Sequence, residues 1–323
     1  MFSPGPGSAL KKSTLIYNPI AGRRPARREK EIRQAADVLR QAKIEVEVAS
    51  TTGPGSGQGL AEAAARRRDD LVLVCGGDGT INEVVNGLAH SHVPLGVLPG
   101  GTANTLAREL RLPHNLIEAA SQVPRWTPRQ IALGRVTWQG GARSEAGPAS
   151  PTPQTLCRRH FVYMAGIGFD AHIVHRLSLK LKMSLGVASY VLEAFRQVVR
   201  YPFPPMALKV NGGEYSGTFA VVHRTRLYAG WLLLAPAASL FEPEFTLSLF
   251  KSRSWARYLV YAGAVLARAH RRLRDVQTLH SRMISCAPQD PGAAIRFELD
   301  GELVGTLPAD FEIVPNALTL LAP

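Results

Sequence analysis

Hydrophobic and polar positions follow two different periods along the first hundred residues. Short runs of apolar or alternating residues predict strands at residues 14–18, 44–49, 71–75 and 95–99. Between them, apolar residues recur every three or four positions over residues 25–42 and 60–68, which predicts amphipathic helices. The run at residues 71–75 has no polar interruption, as is typical of a parallel strand covered on both faces. The alternation of strand and helix therefore predicts an α/β domain with a doubly wound sheet.

The pattern changes after residue 129. Short alternating runs are separated by turn residues, with few long helices between them, and this predicts a β-rich second domain. Residues 139–159 are rich in Gly, Pro, Ser and Ala, so we expect a disordered loop there. Residues 1–10 are expected to form a flexible tail, because they contain no apolar core of signal-peptide length.

Composition narrows the classes of partner. The chain has 323 residues with 46% hydrophobic content, enough for about two domains. Its formal net charge of +13 indicates an anionic partner such as a nucleotide, a nucleic acid or a membrane surface. The basic residues are scattered and accompany no recognised module, so nucleic-acid binding is not expected. Three widely spaced cysteines suit neither a zinc site nor a disulfide framework, which favours a reducing cytosol.

Glycine-rich segments follow several predicted strands, where ligands bind in sheets of this kind. They lie at residues 18–23, 51–59, 76–80 and 100–104. Thr80 and Glu83 have the spacing of a capping box, so we expect a helix to begin at Thr80. The N-terminus of a helix behind small glycines can receive a phosphate group. The structural alternative is a tight turn in which Asp78 is only a local hydrogen-bond acceptor.

Asp78 favours chemistry over a plain turn. A carboxylate next to a phosphate would be repelled unless a magnesium ion or a substrate hydroxyl lay between them. A similar design recurs at residues 98–110, where a glycine pair precedes hydroxyl and amide side chains and an apolar helical pattern. Two such loops could hold a polyphosphate from both sides.

These motifs carry a family resemblance. GGDGTINEVVNGL at residues 76–88 and PGGTANTLAREL at residues 99–110 resemble the diacylglycerol kinase catalytic family, which includes bacterial lipid kinases and sphingosine and ceramide kinases. YNPIAGR, GIGFDAHIV and LDGE extend the resemblance over nearly the whole chain. NAD kinases also carry a GGDGT element, but the continuation is closer to the lipid kinases.

The resemblance implies two domains. The first is an ATP-binding α/β domain similar to phosphofructokinase and NAD kinase, covering residues 11–128 with about residues 306–323 returning to it. The second, residues 129–305, is a β-sandwich-like domain for the lipid substrate.

The resemblance also implies roles for individual residues. Those expected to bind ATP are Asn18, Arg23, Thr51, Gly76, Gly77, Asp78, Gly79, Thr80, Ile81, Asn82, Gly101, Thr102 and Asn104. Glu302 is the first candidate for the general base and Asp78 the second, while Asp78 or Asp300 would arrange a catalytic Mg²⁺ and phosphate. Asp300 and Gly301 also have the pattern of a hairpin turn, which structure alone could explain.

Two departures from the family pattern concern the acceptor and a second metal. Related sphingosine kinases carry an acidic residue at the position of His172, so a neutral diacylglycerol fits better than an amino alcohol. Many bacterial members bind a structural magnesium at an Asp-Gly turn. Here the matching segment contains Leu240, Glu242, Glu244 and Phe245, and Pro243 stands in place of the liganding aspartate. We expect this metal to be lost, with substitution by Glu242 or Glu244 left open.

The sequence therefore predicts an ATP- and Mg²⁺-dependent kinase of a lipid alcohol. The alternatives are a soluble-nucleotide kinase of the NAD kinase type and a catalytically weak lipid- or nucleotide-binding regulator. We expect a cytoplasmic protein at the inner face of an anionic membrane, with a homodimer left open. Residues 255–274 combine an apolar run with arginines and aromatics, which suits an interfacial helix or a helix packed on the β-rich domain.

Overall fold

The structure is a computed structural model that describes residues 11–22, 25–140, 155–176 and 196–323. The chain divides into two compact units. The first comprises the chain up to Ile131 together with Asn316–Pro323, and the second runs from Ala132 to Pro315. The first unit is α/β with a parallel sheet and the second is rich in antiparallel strands, which confirms the predicted fold class.

The first unit alternates strands and helices. Its strands are β1 (Lys12–Tyr17), β2 (Glu45–Ser50), β3 (Leu71–Gly76) and β4 (Leu95–Pro99). Its helices are α1 (Pro25–Gln41), α2 (Ser56–Arg66), α3 (Asp78–Leu88), α4 (Thr105–Glu109) and α5 (Leu116–Gln122). The strands pair in parallel in the order β2-β1-β3-β4, and the end of the last strand of the chain, β18 (Ala309–Ala322), pairs in parallel with β4.

Burial in the first unit follows the hydrophobic pattern. Every residue of β3 and β4 is buried, as the uninterrupted apolar runs require. Helix α1 packs with Ile32, Ala35 and Leu39 on its inner face. Burying a large aliphatic side chain contributes about 1.5–3 kcal/mol, so this core fixes the strand ends from which the loops emerge.

Two helix starts differ from the sequence prediction. Helix α3 begins at Asp78, two residues before Thr80, and α2 begins at Ser56, inside the segment predicted as a loop. The physical reason is Glu83, whose carboxylate accepts hydrogen bonds from the backbone N–H groups of Gly55 and Gly57 at 2.8 and 2.9 Å. Glu83 thus caps the neighbouring helix α2 rather than closing a capping box with Thr80.

The second unit contains most of the antiparallel strands. Its strands are β5 (Thr127–Gly140, beginning in the first unit), β6 (Thr155–Phe161), β7 (Met164–Gly168), β8 (Met206–Val210), β9 (Gly213–Gly217), β10 (Phe219–His223), β11 (Leu227–Tyr228), β12 (Leu232–Leu233), β13 (Phe245–Phe250), β14 (Val276–Ser281), β15 (Met283–Pro288), β16 (Arg296–Leu299) and β17 (Glu302–Thr306). The described residues of this unit also form helices α6 (Phe169–Arg176) and α7 (Trp255–Leu266) and a short 3₁₀ turn at His270–Arg272.

Antiparallel pairing arranges most of these strands in two groups, and β11 and β12 pair with each other. One sheet has the order β14-β13-β10-β7-β16-β17, and another run pairs β18, β15, β8 and β9. Strands β5 and β6 form a hairpin whose register extends to Gly140 opposite Thr155. Residues 139–140 and 155–159 therefore belong to strands, which corrects the wider loop expected at 139–159. The remaining residues of that prediction, 141–154, lie outside the described residues.

Aromatic side chains fill the core of the second unit. Phe161 stacks on Phe245 with ring centroids 5.7 Å apart, and Phe297 meets Phe311 edge-on at 5.8 Å. These rings join residues from both groups of strands, so the core holds β7 and β16 in place. None of the helices in the described part of the chain combines the length and hydrophobicity that a membrane crossing needs.

Candidate active site

Two glycine loops of the first unit pack directly against each other. One follows β3 and the other follows β4, so they leave neighbouring parallel strands at the same edge of the sheet. A Cβ atom on Gly101 would lie 2.6 Å from the Cα atom of Gly77, and one on Gly100 would lie 2.8 Å from the backbone N of Gly76. Only glycine permits this approach of backbone to backbone.

Asp78 connects these loops. One carboxylate oxygen accepts a hydrogen bond from the backbone N–H of Thr105 at 3.0 Å, and the other accepts from the Thr105 hydroxyl at 3.2 Å. Within the second loop, the side chain of Asn104 bonds both backbone groups of Gly101, at 2.7 and 3.1 Å. Asp78 therefore positions the loop after β4 relative to helix α3.

Gly77 leaves space in front of helix α3. Its backbone is extended, with φ −80° and ψ 174°, a conformation that any residue can adopt. A Cβ atom placed on it would meet no described atom within 4 Å. Neither backbone angle nor packing explains this glycine. The space lies at the N-terminus of an 11-residue helix, where N–H groups and the helix dipole attract an anion.

The strand ends around the loops are held by further hydrogen bonds. The Asn18 side chain donates to the Thr80 hydroxyl at 3.1 Å, and its backbone N–H donates to the carbonyl of Cys75 at 3.0 Å. Thr51 is buried, and its N–H donates to the carbonyl of Tyr17 at 2.8 Å. These contacts bring the ends of β1, β2 and β3 together.

The remaining residues expected at the nucleotide differ in their access. Gly79 is half-buried in the first turn of α3, and Thr102 is exposed on the second loop. Ile81 is buried, with its N–H bonded to the Gly77 carbonyl, and Asn82 is fully buried with its side chain bonded to Asn86. The side chains of Ile81 and Asn82 are therefore buried within the first unit, and their expected contact with ATP stays a prediction.

Arg23 lies outside the described residues. Sequence reasoning missed Arg28, which is almost fully buried in this region. Its guanidinium donates to the carbonyls of Gly100 at 2.7 Å and Ala21 at 3.3 Å, and it approaches the sulfur of Cys75 at 3.7 Å. The signal was available, since Arg28 falls on the inner face of the predicted helix 25–42.

A hairpin turn in the second unit carries Asp300. Asp300 and Gly301 both have positive φ, 53° and 87°, as a type I′ turn between β16 and β17 requires. The turn prediction is therefore confirmed, but Asp300 does more than form a turn. Its buried carboxylate accepts hydrogen bonds from three consecutive backbone N–H groups. The donors are Val162, Tyr163 and Met164, at 2.9, 2.8 and 3.1 Å.

Two further buried carboxylates beside this turn were missed by sequence reasoning. Glu298 accepts the N–H groups of Gly166 at 2.9 Å and Gly301 at 2.5 Å. Burial, reinforced by the charge of Asp170, raises the pKa of Glu298 well above its usual value. The Tyr228 hydroxyl donates to Asp170 at 2.7 Å. A Cβ atom on Gly166 would collide with both carboxylates, which explains the first glycine of the GIGFDAHIV motif.

Glu302 is more accessible than these neighbours. Its side chain is 38% exposed and forms an ion pair with Arg159 at 2.6 Å. Asp300, by comparison, is 7% exposed and Glu298 is fully buried. Of the carboxyl groups described at this turn, that of Glu302 is the most exposed, and Arg159 restricts its orientation.

His172 lies in a half-buried aromatic surrounding. Its Nε2 is 3.2 Å from the side-chain oxygen of Gln197, and its ring centroid is 4.7 Å from that of Tyr201. Burial lowers the pKa of His172, so the neutral imidazole is favoured near pH 7.

The segment implied for a structural magnesium does not fit a metal. The carbonyl oxygens of Leu240, Glu242 and Glu244 all accept hydrogen bonds from the guanidinium of Arg224. A second cation on the same oxygens would be repelled. Across the part of the chain that the structure describes, no group of three or more His, Cys, Asp and Glu side chains has the arrangement of a metal site.

Similarity to known proteins identifies the chain as a lipid kinase. Residues 12–136 match the diacylglycerol kinase catalytic domain, and residues 163–322 match the YegS C-terminal NAD kinase beta sandwich-like domain. A diacylglycerol kinase of Bacillus subtilis (strain 168) is 30% identical over 307 residues, which cover 94% of this chain and 93% of that protein. The chain belongs to the diacylglycerol kinase family.

Other relatives agree over the full length. A diacylglycerol kinase of Staphylococcus aureus (strain MRSA252) is 25% identical over 321 residues, covering 97% of this chain and 93% of that protein. A solved structure from Bacillus anthracis str. Sterne superposes with a TM-score of 0.77 at 20% identity, covering 100% of this chain and 99% of that one. At this identity the structural likeness concerns the fold.

Proposed function

We propose that this lipid kinase transfers the γ-phosphoryl group of ATP to the hydroxyl of diacylglycerol. The observation that carries the proposal is the space over Gly77 at the N-terminus of α3, bordered by a second glycine loop. Donors fixed in advance around such a space suit phosphates, because positioning and electrostatics supply most of the acceleration in phosphoryl transfer. The relatives named diacylglycerol kinase support the choice of acceptor.

The nucleotide phosphates are proposed to lie against residues 76–80. Backbone N–H groups at the start of α3 would donate to phosphate oxygens, and Asp78 would keep the second loop closed over them through Thr105. Asp78 is half-buried in this loop, so its carboxylate fits an Mg²⁺ ion that arrives with the phosphates. Bound there, the ion would neutralise phosphate charge.

Glu302 is proposed as the general base. Its exposure lets it accept a proton from a hydroxyl, whereas the Asp300 carboxylate is occupied by three backbone N–H groups. Asp300 is then a positioning residue that fixes the turn from which Glu302 projects. Arg159 would hold Glu302 in one orientation by its ion pair.

A neutral acceptor suits the surroundings of His172. A neutral imidazole next to the ring of Tyr201 provides no charge for an amino alcohol. Because diacylglycerol resides in bilayers, we further propose that the protein works at the cytoplasmic face of an anionic membrane, to which a net charge of +13 would draw it.

A labelled-ATP assay tests this proposal. The purified protein is incubated with ATP and Mg²⁺ and offered diacylglycerol, ceramide, a polyprenol or NAD in parallel, with Glu302→Gln as the inactive control. We expect label in diacylglycerol that disappears in the variant. Label in NAD would favour a soluble-nucleotide kinase, and nucleotide binding without any transfer would favour a regulatory protein.

A further inference from the structure

Helix α7 packs its tyrosines against aromatic rings of the protein and leaves its tryptophan and several aliphatic side chains exposed. Tyr258 and Tyr261 are buried, whereas Trp255, Leu259 and Leu266 are 49%, 39% and 62% exposed. A surface helix normally exposes polar side chains on its outer face. The orientation of this helix therefore needs an explanation.

Hydrogen bonds and an ion pair fix the inner side of α7, so the helix is held against rotation about its axis. The hydroxyls of Tyr258 and Thr218 are 2.8 Å apart, and the Tyr261 hydroxyl donates to Asp275 at 2.6 Å. Arg257 donates to both carboxylate oxygens of Asp275 at 2.7 Å. The single charged residue of the helix is thus engaged in this ion pair, and the outward face is left wholly apolar.

The outward face is continuous and has a basic border. Its exposed residues are Trp255, Ala256, Leu259, Val260, Ala262, Gly263 and Leu266. Exposed arginines lie at both ends of the helix, and they are Arg253, Arg268, Arg271, Arg272 and Arg274. An apolar strip between cationic ends matches the acyl chains and anionic headgroups of a lipid surface.

We propose that the outward face of α7 docks on an anionic lipid bilayer. Trp255 would lie at the headgroup boundary, with Leu259 and Leu266 inserted beside it and the arginines reaching phosphate groups. A second copy of the chain fits less well, because a two-fold contact through this helix would bring its arginines near those of the partner. This docking does not depend on phosphoryl transfer.

Vesicle sedimentation without ATP or diacylglycerol tests the docking surface. Vesicles of phosphatidylcholine alone are compared with vesicles that also contain phosphatidylglycerol. The test variant is Leu259→Gln/Leu266→Gln, and the matched control is Leu156→Gln/Met283→Gln, which removes two exposed apolar side chains elsewhere in the unit. All four positions are exposed, so folding should be retained.

We expect the wild type and the control to bind the anionic vesicles, with affinity that falls as salt rises. The α7 variant should bind at least about tenfold more weakly. It should keep activity toward a short-chain diacylglycerol in solution, which separates lost docking from lost catalysis. The proposal is overturned if the two double variants bind equally, if the wild type ignores the vesicles, or if the α7 variant instead abolishes a dimer seen by light scattering.

A second inference concerns Arg224, which is fully buried. One terminal nitrogen donates to the carbonyls of Glu242 at 2.5 Å and Glu244 at 2.8 Å. The other donates to the carbonyls of Leu240 at 2.6 Å and Ala132 at 3.0 Å. Burial lowers the pKa of Arg224 only to about 10, so the guanidinium stays charged at neutral pH.

We infer that this guanidinium is a built-in cation that organises residues 240–244. The family resemblance implies a magnesium ion at this segment, but here the carbonyl oxygens converge on an arginine and Pro243 supplies no carboxylate. A positive charge that is part of the chain cannot be removed by a chelator. The segment should therefore be stable without divalent metal.

Thermal unfolding without nucleotide, in EDTA or in excess MgCl₂, tests this inference. For the wild type, we expect the Tm in EDTA to equal the Tm in MgCl₂. The same should hold for the control Arg282→Gln, whose side chain is exposed. Arg224→Gln should lower Tm by at least ~5 °C, with Arg224→Lys between them. The double variant Arg224→Ser/Pro243→Asp loses the guanidinium and gains a carboxylate. Its Tm should therefore be higher in MgCl₂ than in EDTA.

The inference fails if Mg²⁺ raises the Tm of the wild type but not of Arg224→Gln, or if Arg224→Gln is as stable as Arg282→Gln. Should Arg224→Gln not fold, the Arg224→Lys and double variants still decide the question. Tm reports on folding alone, so failure of the proposed kinase reaction would leave this test unaffected.

Discussion

The glycine loops after β3 and β4 differ from the β16–β17 hairpin, which carries Glu298 and Asp300, in what their backbone N–H groups face. In the loops, the N-terminus of α3 faces the space over Gly77, and described atoms leave that space open. At the hairpin, backbone N–H groups are directed at the protein's own carboxylates, those of Asp300 and Glu298. In the first region these groups are open to an anion, whereas in the second they are bonded to the protein's own carboxyl groups.

This difference indicates a division of labour. A region filled with carboxylates repels phosphate but can take a proton from a neutral hydroxyl. A region with open N–H groups cannot take a proton but stabilises phosphate charge. The comparison therefore supports our proposal that the donor nucleotide binds to the first unit and that the acceptor is deprotonated in the second, and each part of the proposal can be tested separately.

The largest expected effect comes from removing the proposed base. Glu302→Gln should lower kcat by about 10²–10⁴-fold, because general-base catalysis contributes on that order. Its Tm should stay close to that of the wild type, since the side chain is 38% exposed. Steady-state kinetics and ATP binding are measured on the same preparation. If kcat falls less than about fivefold, or if ATP binding is lost instead, the division of labour is wrong.

The next effect tests whether the hydrogen bonds of the Asp300 carboxylate stabilise the fold. Asp300→Asn places an NH₂ group against backbone N–H donors and removes charge-assisted hydrogen bonds. We expect the free energy of unfolding in urea to fall by about 2–4 kcal/mol. Asp310→Asn is the control, because Asp310 is exposed in the same unit. Equal stability of the two variants would mean that the three N–H contacts carry little energy.

A pair of glycine variants tests the other side of the comparison. Gly101→Ala would place Cβ 2.6 Å from the Cα of Gly77, so the loops must separate, at a cost of about 1–3 kcal/mol. Gly77→Ala meets no described atom and should keep its stability while the methyl group obstructs the phosphate. Urea unfolding and the KM for ATP are measured for both. A Gly77→Ala variant with unchanged KM would show that the space over Gly77 is not where phosphate binds.

The sequence predicted the first region better than the second, for a physical reason. Parallel strands and their loops are local in the chain, so hydrophobic runs and glycine pairs locate the strand ends. The capping and the start of α2 were misread, because Glu83 bonds α2, whose partner positions are 26 and 28 residues away. Periodicity alone could also have identified Arg28.

The second region depends on contacts that are distant in sequence. Asp300 bonds residues 162–164, which lie at least 136 positions away, and Glu302 meets Arg159 at a separation of 143. No local pattern marks Glu298 or Asp170 as neighbours. The hairpin turn at Asp300 and Gly301 was predictable from its two residues, but the carboxylate cluster required the fold.

The smallest expected effect tests whether burial and the charge of Asp170 raise the pKa of Glu298. A raised pKa means that the folded state holds a proton that the unfolded state releases, so stability is lost as pH rises above the ordinary glutamate value. His223, whose pKa burial lowers to about 3, acts in the opposite direction below pH 6.5, so the informative quantity is the difference between variants. Relative to Glu298→Gln, the wild type should lose up to ~1.4 kcal/mol as the pH rises from 5 to 6. Urea unfolding at each pH measures this slope, and Glu214→Gln serves as an exposed control. Parallel curves for wild type and Glu298→Gln would mean that burial beside Asp170 does not raise the pKa of Glu298, and that the buried carboxyl groups of the hairpin carry no electrostatic cost.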